Sequence, residues 1–493
     1  MATSLYAPTV PRRRVPGVSA RLPGGFLVAG VMLVALAVGV TAAFQPHLAI
    51  AGVLGLALLP VVLARPIVGF GALLFLSFLE EYSALTGALS LTKILGAILV
   101  LAWGVAVATA RRSDRETDGL LSREPFLAAS LVVLAGWAAM SLVWAEAPEL
   151  AQTSVMRFAL NFTLFPIALV AIRTPRHVMW FIAVFVAGAF ASVGLGLADG
   201  TVGDPEAENR LKGAGINPNQ LGSYCVVVAI FAATLAASPR WSLAARTAAL
   251  AVAGFAGIAV FMTLSRGALV GLAAALVVAP FVIGRRRRAG AVVIAVAAVL
   301  GTVGWYATIA PPDAAQRITN PDEGGGSGRV DLWRVGWRMV EDKPVWGVGA
   351  GNFPVAAIHY LLRPGLTERD EIIVDYRRVA HNIYLTVLSE LGAVGLLLFL
   401  AIIFLSLRAA LDAARTFSAR GDPVMELVAR ALFLGILSMA VVGFFSSALY
   451  SKQFWFLLAS GPALRAIAAR HEATRPAPST RLSPATRAAA HIN

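Results

Sequence analysis

Long uninterrupted apolar runs recur along almost the whole chain and restrict its fold more than any other feature. Many of them reach the ~17–25 residues with which an α-helix crosses a bilayer. Of the 493 residues, 58% are hydrophobic and only 14% are charged, whereas a soluble protein of this size needs far more surface charge. The runs are continuously apolar rather than alternating, as strands of a membrane β-barrel would be. The sequence therefore predicts an all-α polytopic membrane protein.

About fourteen candidate transmembrane helices can be counted, or twelve if the second and third form a re-entrant pair. That pair is suspect because one run is short and the other is bounded by prolines. The predicted spans are 25–43, 47–64, 66–79, 92–110, 126–144, 156–172, 177–198, 219–238, 243–263, 266–283, 290–309, 382–408, 426–448 and 452–469.

Basic and acidic loops alternate between the predicted spans, and this alternation predicts the orientation of the chain. Cytoplasmic loops carry an excess of Lys and Arg, as the segments 12–14 and 285–288 do here, whereas the loop 199–208 is acidic. The pattern predicts a multi-pass membrane protein with both termini in the cytoplasm. It also explains the net charge of +14 without a nucleic acid partner.

The same pattern divides the chain into five predicted parts. They are a cytoplasmic tail at 1–24, a transmembrane bundle at 25–309, a large extracytoplasmic loop at 310–380, further transmembrane helices at 381–470 and a disordered cytoplasmic tail at 471–493. The first apolar run is interpreted as a retained helix rather than a secretory signal, because many more spans follow it. The single cysteine, Cys225, lies inside an apolar run and is interpreted as a small buried side chain.

Cationic residues at the predicted outer face are the first candidates for chemistry. Arg266 follows Thr263-Leu-Ser at the junction of two spans, where the topology rule disfavours an arginine. A guanidinium donates two parallel hydrogen bonds to a phosphate, so a phosphate-binding role is predicted, with a structural ion pair as the alternative. Arg210 and Lys212 are the cations of an otherwise acidic loop, and the alternative for both is a purely interfacial position.

His381 and Asn382 begin the span that follows the large outer loop. On a continuous helix Gly392 would project ~20° from His381 and Gly395 ~40° to the other side. This face is therefore predicted to be small and to pack tightly against a neighbouring helix, while Glu390 projects to the opposite face. A polar helix end is the alternative for His381. Because no second His or Cys lies at ligand spacing, no metal or other cofactor is predicted.

The outer loop also contains an arginine-rich segment in which apolar residues recur at helical spacing. The spacing predicts an amphipathic helix at the membrane interface, formed around Val330, Trp333, Trp337 and Val340. Its basic residues are candidates for binding lipid headgroups or a diphosphate, and they are Arg329, Arg334 and Arg338. The glycine-rich stretch 347–352 is interpreted as a turn rather than a phosphate loop, since no strand precedes it.

Three segments resemble a known superfamily. His381-Asn382, nine residues, Gly392, two residues and Gly395 fit the signature His-[Asn/Ser/Gln]-x9-Gly-x2-[Gly/Thr/Tyr] associated with bacterial O-antigen ligases. The segments 263–267 and 342–349 are also similar to the superfamily of O-antigen ligases, Wzy-type O-antigen polymerases and exopolysaccharide polymerases. The resemblance covers roughly residues 200–450, and fourteen spans would depart from the commoner twelve.

The resemblance implies a fold of the GT-C type and a metal-independent, inverting glycosyltransferase working on the periplasmic or extracytoplasmic face. The implied donor is a glycan on undecaprenyl diphosphate. The acceptor would be a sugar hydroxyl on lipid A–core or on another lipid-linked glycan, in the synthesis of lipopolysaccharide or exopolysaccharide. Members have two essential outer arginines and one histidine, and Arg210, Arg266 and His381 occupy matching places here.

Two other classes of function remain open at this stage. A polysaccharide transporter or lipid flippase would place ionisable residues near the middle of the bilayer, in broken helices of paired repeats. The candidate groups here cluster at one face instead, which favours an enzyme. A purely structural membrane subunit would not need so large an outer loop.

Overall fold

The computed structural model describes Met32, Val40 and the ranges 46–80, 91–109, 119–198, 210–213, 216–308, 329–361 and 379–473. Several predicted parts lie mostly outside the described residues. They are the span at 25–43, the acidic loop 199–208 and the C-terminal tail at 471–493. The chain divides into two compact units, Met1–Ala57 and Leu58–Asn493. All contacts discussed below lie within the second unit.

Every regular element in the described residues is a helix. The helices are α1 Pro46–Ala64, α2 Pro66–Ser77, α3 Leu91–Thr109, α4 Pro125–Met140, α5 Pro148–Ala171, α6 Pro175–Ala198, α7 Pro218–Ala236, α8 Leu243–Met262, α9 Arg266–Val282, α10 Arg288–Thr308, α11 Arg329–Asp342, α12 Phe353–Leu361, α13 Ile383–Ala419, α14 Pro423–Val442 and α15 Lys452–Ala473. Single turns at Leu120–Arg123, Ser141–Val143, Arg285–Arg287, Gly443–Phe445 and Ala448–Tyr450 complete them.

These helices confirm the prediction of an all-α polytopic membrane protein. Nine helices among the described residues are long and apolar enough to cross a membrane, and α2 and α9 are shorter apolar helices. Every predicted span from 47–64 onward corresponds to one helix, so apolar run length alone located the spans. The total of twelve to fourteen spans remains a prediction.

Helix starts follow from local sequence. Proline occupies the first helical position of several helices, where its missing N–H is not needed and its fixed φ suits a helix. A side chain caps the next backbone donors in others: Asn217 before α7, Ser265 before α9 and Asn382 before α13. Asn217 Oδ1 accepts from Gln220 N–H at 3.0 Å, so this polar residue begins α7.

The centre of the bundle lies where α5, α13 and α15 meet. Trp455 of α15 is fully buried, and its indole Nε1 donates to the carbonyl of Leu449 at 2.8 Å. Aromatic rings from α5 and α13 surround it, with ring centroids 5.2–6.5 Å away: Phe158, Phe162, Phe165 and Phe399. Cys225 is buried as predicted.

Helix α13 is interrupted at Gly392, where φ is +67° and ψ is −169°. The segment 344–349 inserts beside this interruption and uses the backbone groups that the break releases. Val348 and Gly349 donate their N–H groups to the carbonyls of Ser389 and Glu390 at 2.9 and 2.8 Å, while Ala393 N–H donates to the carbonyl of Pro344 at 2.8 Å.

The interruption corrects the predicted role of Gly392 and Gly395. The projection that grouped them with His381 assumed a continuous helix, and the break at Gly392 invalidates it. A Cβ at Gly392 would lie 2.0 Å from the carbonyl oxygen of Val345, whereas a Cβ at Gly395 would meet only Leu391 of its own helix. Gly392 therefore admits a loop of the chain, and not a neighbouring transmembrane helix.

We expect Gly392→Ala to destabilise the fold by about 3 kcal/mol or more. Its backbone lies in a region that is essentially restricted to glycine, where strain costs ~1–3 kcal/mol, and the added methyl group would overlap Val345. Gly257→Ala in α8 is the matched control, since a Cβ there has no atom within 4 Å. Denaturant unfolding of both purified variants measures the difference, and equal stability would contradict the role given to Gly392.

Candidate active site

Arg266 occupies the first position of α9. Leu264 before it has a left-handed φ of +47°, and the hydroxyl of Ser265 accepts from Ala268 N–H at 3.2 Å, which turns the chain sharply into the helix. A Cβ at Gly267 would lie 3.0 Å from Cβ of Phe445. The absence of a side chain at Gly267, directly after Arg266, thus lets the segment 443–447 approach closely.

His381 lies on the other side of that same segment. Its φ is +49°, and its Nδ1 is 2.8 Å from the hydroxyl oxygen of Ser447. A Cβ at Gly443 would lie 2.5 Å from the side chain of Ile383, so the backbone after His381 is pressed against the segment. Arg266 and His381 therefore flank the same stretch of chain at one end of the bundle.

Asn382 caps α13 through its side-chain oxygen. Oδ1 accepts from the N–H groups of Tyr384 and Leu385, both at 3.0 Å. This contact explains the asparagine in the His-Asn pair by helix capping. Substrate binding by Asn382 remains a prediction.

Arg210 is fixed against the segment that leads into Arg266. Its Nε donates to the carbonyl of Thr263 and its Nη2 to Oδ1 of Asn219, both at 2.9 Å. Leu211 N–H donates to the carbonyl of Met262 at 2.9 Å. The structure thus brings Arg210 to the Arg266 segment as predicted, and two of its donors hold the two segments together.

Lys212 is held through its backbone. A Cβ at Gly196 in α6 would lie 1.9 Å from the carbonyl oxygen of Lys212, so this residue packs directly on the end of that helix. Its predicted contact with substrate remains a prediction.

Arg329, at the start of α11, lies beside Arg266. Burial and the positive charge of Arg266 both lower the pKa of Arg329. Its Nε is buried and makes no hydrogen bond within the described part of the chain. Two guanidinium groups repel each other, and a buried donor without an acceptor is costly.

Helix α11 also reaches the histidine. The indole Nε1 of Trp333, one helical turn after Arg329, donates to the carbonyl of Ala380 at 2.8 Å. One short helix therefore connects the arginine pair with the residue that precedes His381.

The other two arginines of α11 turn away from this place. Arg334 is 3.3 Å from Asp331 and Arg338 is 3.8 Å from Glu341, each three residues apart on the same helix, and both side chains are about half exposed. The structure therefore does not bring them to Arg266, and a contact of either with substrate remains a prediction.

Helix α11 packs against the protein through residues other than the predicted membrane-facing set. The predicted helix exists, but Leu332, Val335 and Met339 form its buried face, while Val330 and Trp337 are exposed. The physical reason is that the helix packs on α12 and α13 with one apolar side and keeps a second apolar side outward. Contact of that second side with the membrane interface remains a prediction.

Glu390 is a residue whose role the sequence did not reveal. Its carboxylate accepts from Gly351 N–H at 2.7 Å and from Phe353 N–H at 3.3 Å, at the start of α12. The glycine-rich stretch 347–352 is thus a turn, as interpreted. The N–H group of Gly351 within it donates to the Glu390 carboxylate. Glu390 makes no bond to His381, in agreement with the opposite faces assigned to them.

The same turn contacts the first half of the chain. Asn352 Oδ1 accepts from Ala147 N–H at 2.7 Å, Ser141 Oγ accepts from Ala350 N–H at 3.0 Å, and Trp137 Nε1 donates to the carbonyl of Leu391 at 2.8 Å. The α4–α5 junction therefore supports the turn that holds α11 near the candidate site.

No group of three or more His, Cys, Asp or Glu in the described residues is placed to hold a metal ion. Independence of metals remains a prediction.

These observations define a class: a polytopic all-α membrane protein with an arginine-rich, histidine-bearing site at one end of its bundle. A family model described as O-antigen ligase matches residues 251–400, a range that includes Arg266, Arg329, His381 and Gly392. The match confirms the resemblance to the O-antigen ligase and polymerase superfamily and supports a glycosyltransferase-like enzyme of polysaccharide synthesis. A comparison with curated proteins found no match.

We expect Glu390→Leu to destabilise the protein by about 2–5 kcal/mol, because two buried N–H groups lose their acceptor and each costs ~1–3 kcal/mol. Glu390→Gln keeps one acceptor oxygen and should lose less. The matched control is Glu341→Leu, since the Glu341 side chain is 56% exposed and its ion pair contributes little. Unfolding of the three variants measures the order, and a neutral Glu390→Leu would refute the clamp.

Proposed function

We propose that this protein is a membrane glycosyltransferase that moves a glycan from undecaprenyl diphosphate to a sugar hydroxyl on a lipid A–core or lipid-linked glycan acceptor. The observation that carries the proposal is the pair Arg266 and Arg329, whose buried, unsatisfied donor calls for an anion, at the same end as His381. The O-antigen ligase match over residues 251–400 supports the reaction class.

The proposed transfer requires one group that stabilises the leaving diphosphate and another that accepts the proton of the acceptor hydroxyl. The bond between the anomeric carbon and the diphosphate oxygen breaks, and negative charge grows on the diphosphate as it leaves. Guanidinium groups held in a partly dry site stabilise that charge more than they would in water. Arg266 and Arg329 perform this function in the proposal, and Arg210 fixes the segment that carries Arg266.

The second function is removal of the proton from the acceptor hydroxyl, whose oxygen forms the new bond to the anomeric carbon. In the tautomer whose Nδ1–H donates to Ser447, Nε2 of His381 is the basic nitrogen and takes this proton. Attack opposite the diphosphate inverts the anomeric carbon. The leaving group is already a diphosphate ester, so no nucleotide or metal takes part in the proposed step.

Alanine at Arg266 or at His381 should lower the transfer rate at least ~100-fold, the usual effect of losing an electrostatic donor or a general base. Arg415→Ala is the matched control and should stay within a few-fold, because Arg415 lies near the end of α13 that is remote from His381 and pairs with Asp412. The measurement is glycan transfer from a lipid-diphosphate donor by purified protein in detergent. Transfer at the normal rate by both variants would end the proposal, and absence of transfer by the intact protein would favour a flippase.

Inorganic diphosphate should stabilise the protein against heat through the arginine pair. At one hundred times its Kd a ligand adds about 2.7 kcal/mol, and Arg329→Gln should lose most of this gain. Arg334→Gln is the control, since its side chain is half exposed and paired with Asp331. Thermal unfolding with and without diphosphate checks the difference, and equal shifts in both variants would contradict an anion site at Arg329.

A further inference from the structure

A cavity of about 500 Å³ opens beside the candidate active site, on the far side of the segment 443–452. Ser447, whose hydroxyl contacts His381, lines it, as do Tyr450, Ser451 and Lys452. Gln220, next to the residue that binds Arg210, lines it from α7. The cavity therefore lies at the same end of the bundle as His381 but is separate from the arginine pair.

The mouth of the cavity is cationic. Among the described residues that line it, Lys93, Arg157 and Lys452 are positive and Glu80 is negative. Lys452 and Glu80 form an ion pair, and Thr92 donates to Glu80 at 3.0 Å. The described lining therefore holds more cations than carboxylates, and Lys452 is neutralised by Glu80.

Arg157 is the least expected of these residues. It lies nine residues after the start of α5, or about 14 Å along a helix, inside the span Pro148–Ala171. Its guanidinium contacts the ring of Tyr450 at 5.4 Å, and no ion pair of Arg157 occurs among the described residues. Arg157 is the second residue of the predicted span 156–172, near the outer end of that span, and charged side chains in such segments are costly and commonly mark binding sites or pathways.

One side of the wall beyond Arg157 is apolar, with the polar residues Asn161 and Thr163 beside it. Leu160, Leu164 and Ile167 follow Arg157 along one face of α5, and Leu99 of α3 and Leu73 of α2 line the opposite side. From Arg157 to Ile167 this wall extends about 15 Å along the helix. A cationic mouth above an apolar slot fits an amphiphile that has an anionic headgroup and an aliphatic chain.

We propose that this cavity binds the phosphate-bearing headgroup and the first part of the aliphatic chain of the acceptor, so that the acceptor is a phosphorylated lipid-anchored glycan. The inference rests on the proposed function, which assigns the diphosphate of the donor to Arg266 and Arg329. The arginine pair and the cavity then provide two separate places for anions at the end of the bundle that carries His381, one for each lipid-anchored substrate. Arg157, beside the Lys452–Glu80 ion pair, holds the acceptor phosphate, and Ser447 lies between the cavity and the histidine.

The binding experiment uses farnesyl diphosphate as a short lipid-diphosphate probe and native mass spectrometry of the full chain. The intact protein should bind two molecules, while Arg157→Gln and Arg329→Gln should each bind one at the same probe concentration. Two molecules bound by Arg157→Gln, or one molecule bound by the intact protein, would overturn the second site. Farnesol, which has the chain without the charge, should not bind the cavity.

Control variants keep this result independent of folding. Leu160 lines the cavity but its side chain is 52% exposed, so Leu160→Trp should fill the slot without disturbing the core. It should lose the same molecule as Arg157→Gln, and Arg157→Lys should recover part of the binding. Arg415→Gln, near the other end of α13, is the matched cation control and should bind two. Failure of Leu160→Trp to reduce binding would contradict the apolar slot.

A kinetic experiment distinguishes the two possible sources of the phosphate. The acceptor glycan is offered on a polyprenyl diphosphate, on a phosphorylated glycolipid or free of lipid, with the donor fixed. Loss of a charge-assisted contact should raise the KM of Arg157→Gln about ten-fold to a hundred-fold for the phosphorylated acceptor that the cavity takes. The KM for the donor and for the lipid-free glycan should stay unchanged.

An unchanged KM for both phosphorylated acceptors, or a raised KM for the donor instead, would overturn the acceptor assignment. Failure of the proposed function gives a different pattern. In that case no variant and no acceptor shows transfer, while the binding experiment can still find two molecules on the intact protein.

Discussion

The Glu390 carboxylate and the break in α13 at Gly392 together satisfy the backbone hydrogen bonds of a loop that lies beside a transmembrane helix. A loop that lies beside the first turns of a transmembrane helix must have its backbone donors and acceptors satisfied by protein, because lipid offers no partners. Here the carboxylate takes two N–H groups of the turn, and the broken helix supplies the carbonyls of Ser389 and Glu390 to Val348 and Gly349. Trp137 satisfies the carbonyl of Leu391.

The placement of the candidate site depends on this arrangement. Helix α11 ends at Asp342, just before the segment that inserts at Gly392, and its buried face packs on Phe353 and Leu385. With its C-terminal end fixed there, its first residue, Arg329, comes to lie beside Arg266, and Trp333 reaches the carbonyl of Ala380. The contacts of Glu390 and Gly392, about three turns into α13, thus help to place Arg329 beside Arg266.

The sequence predicted the elements of this structure better than their contacts. Apolar run length located the helices, and the alternation of basic and acidic loops put Arg266 and His381 at the same end, which the shared neighbours Phe445 and Ser447 support. The break at Gly392 could not be predicted, because periodicity assumes a continuous helix. Arg334 and Arg338 looked equivalent to Arg329, since only the docked position of α11 distinguishes them. Arg157 was missed because one cation hardly changes the hydropathy of a long span.

The fold holds like charges together at this end of the bundle. Helix starts and the docking of α11 place Arg266 beside Arg329. The position of Arg157 is set in a similar way by α5, which packs around Trp455. Such fixed cations are costly until an anion arrives, and then they need no reorganisation. In the proposed function, a bundle that separates two such places by the segment contacting His381 would align two anionic lipids near that imidazole.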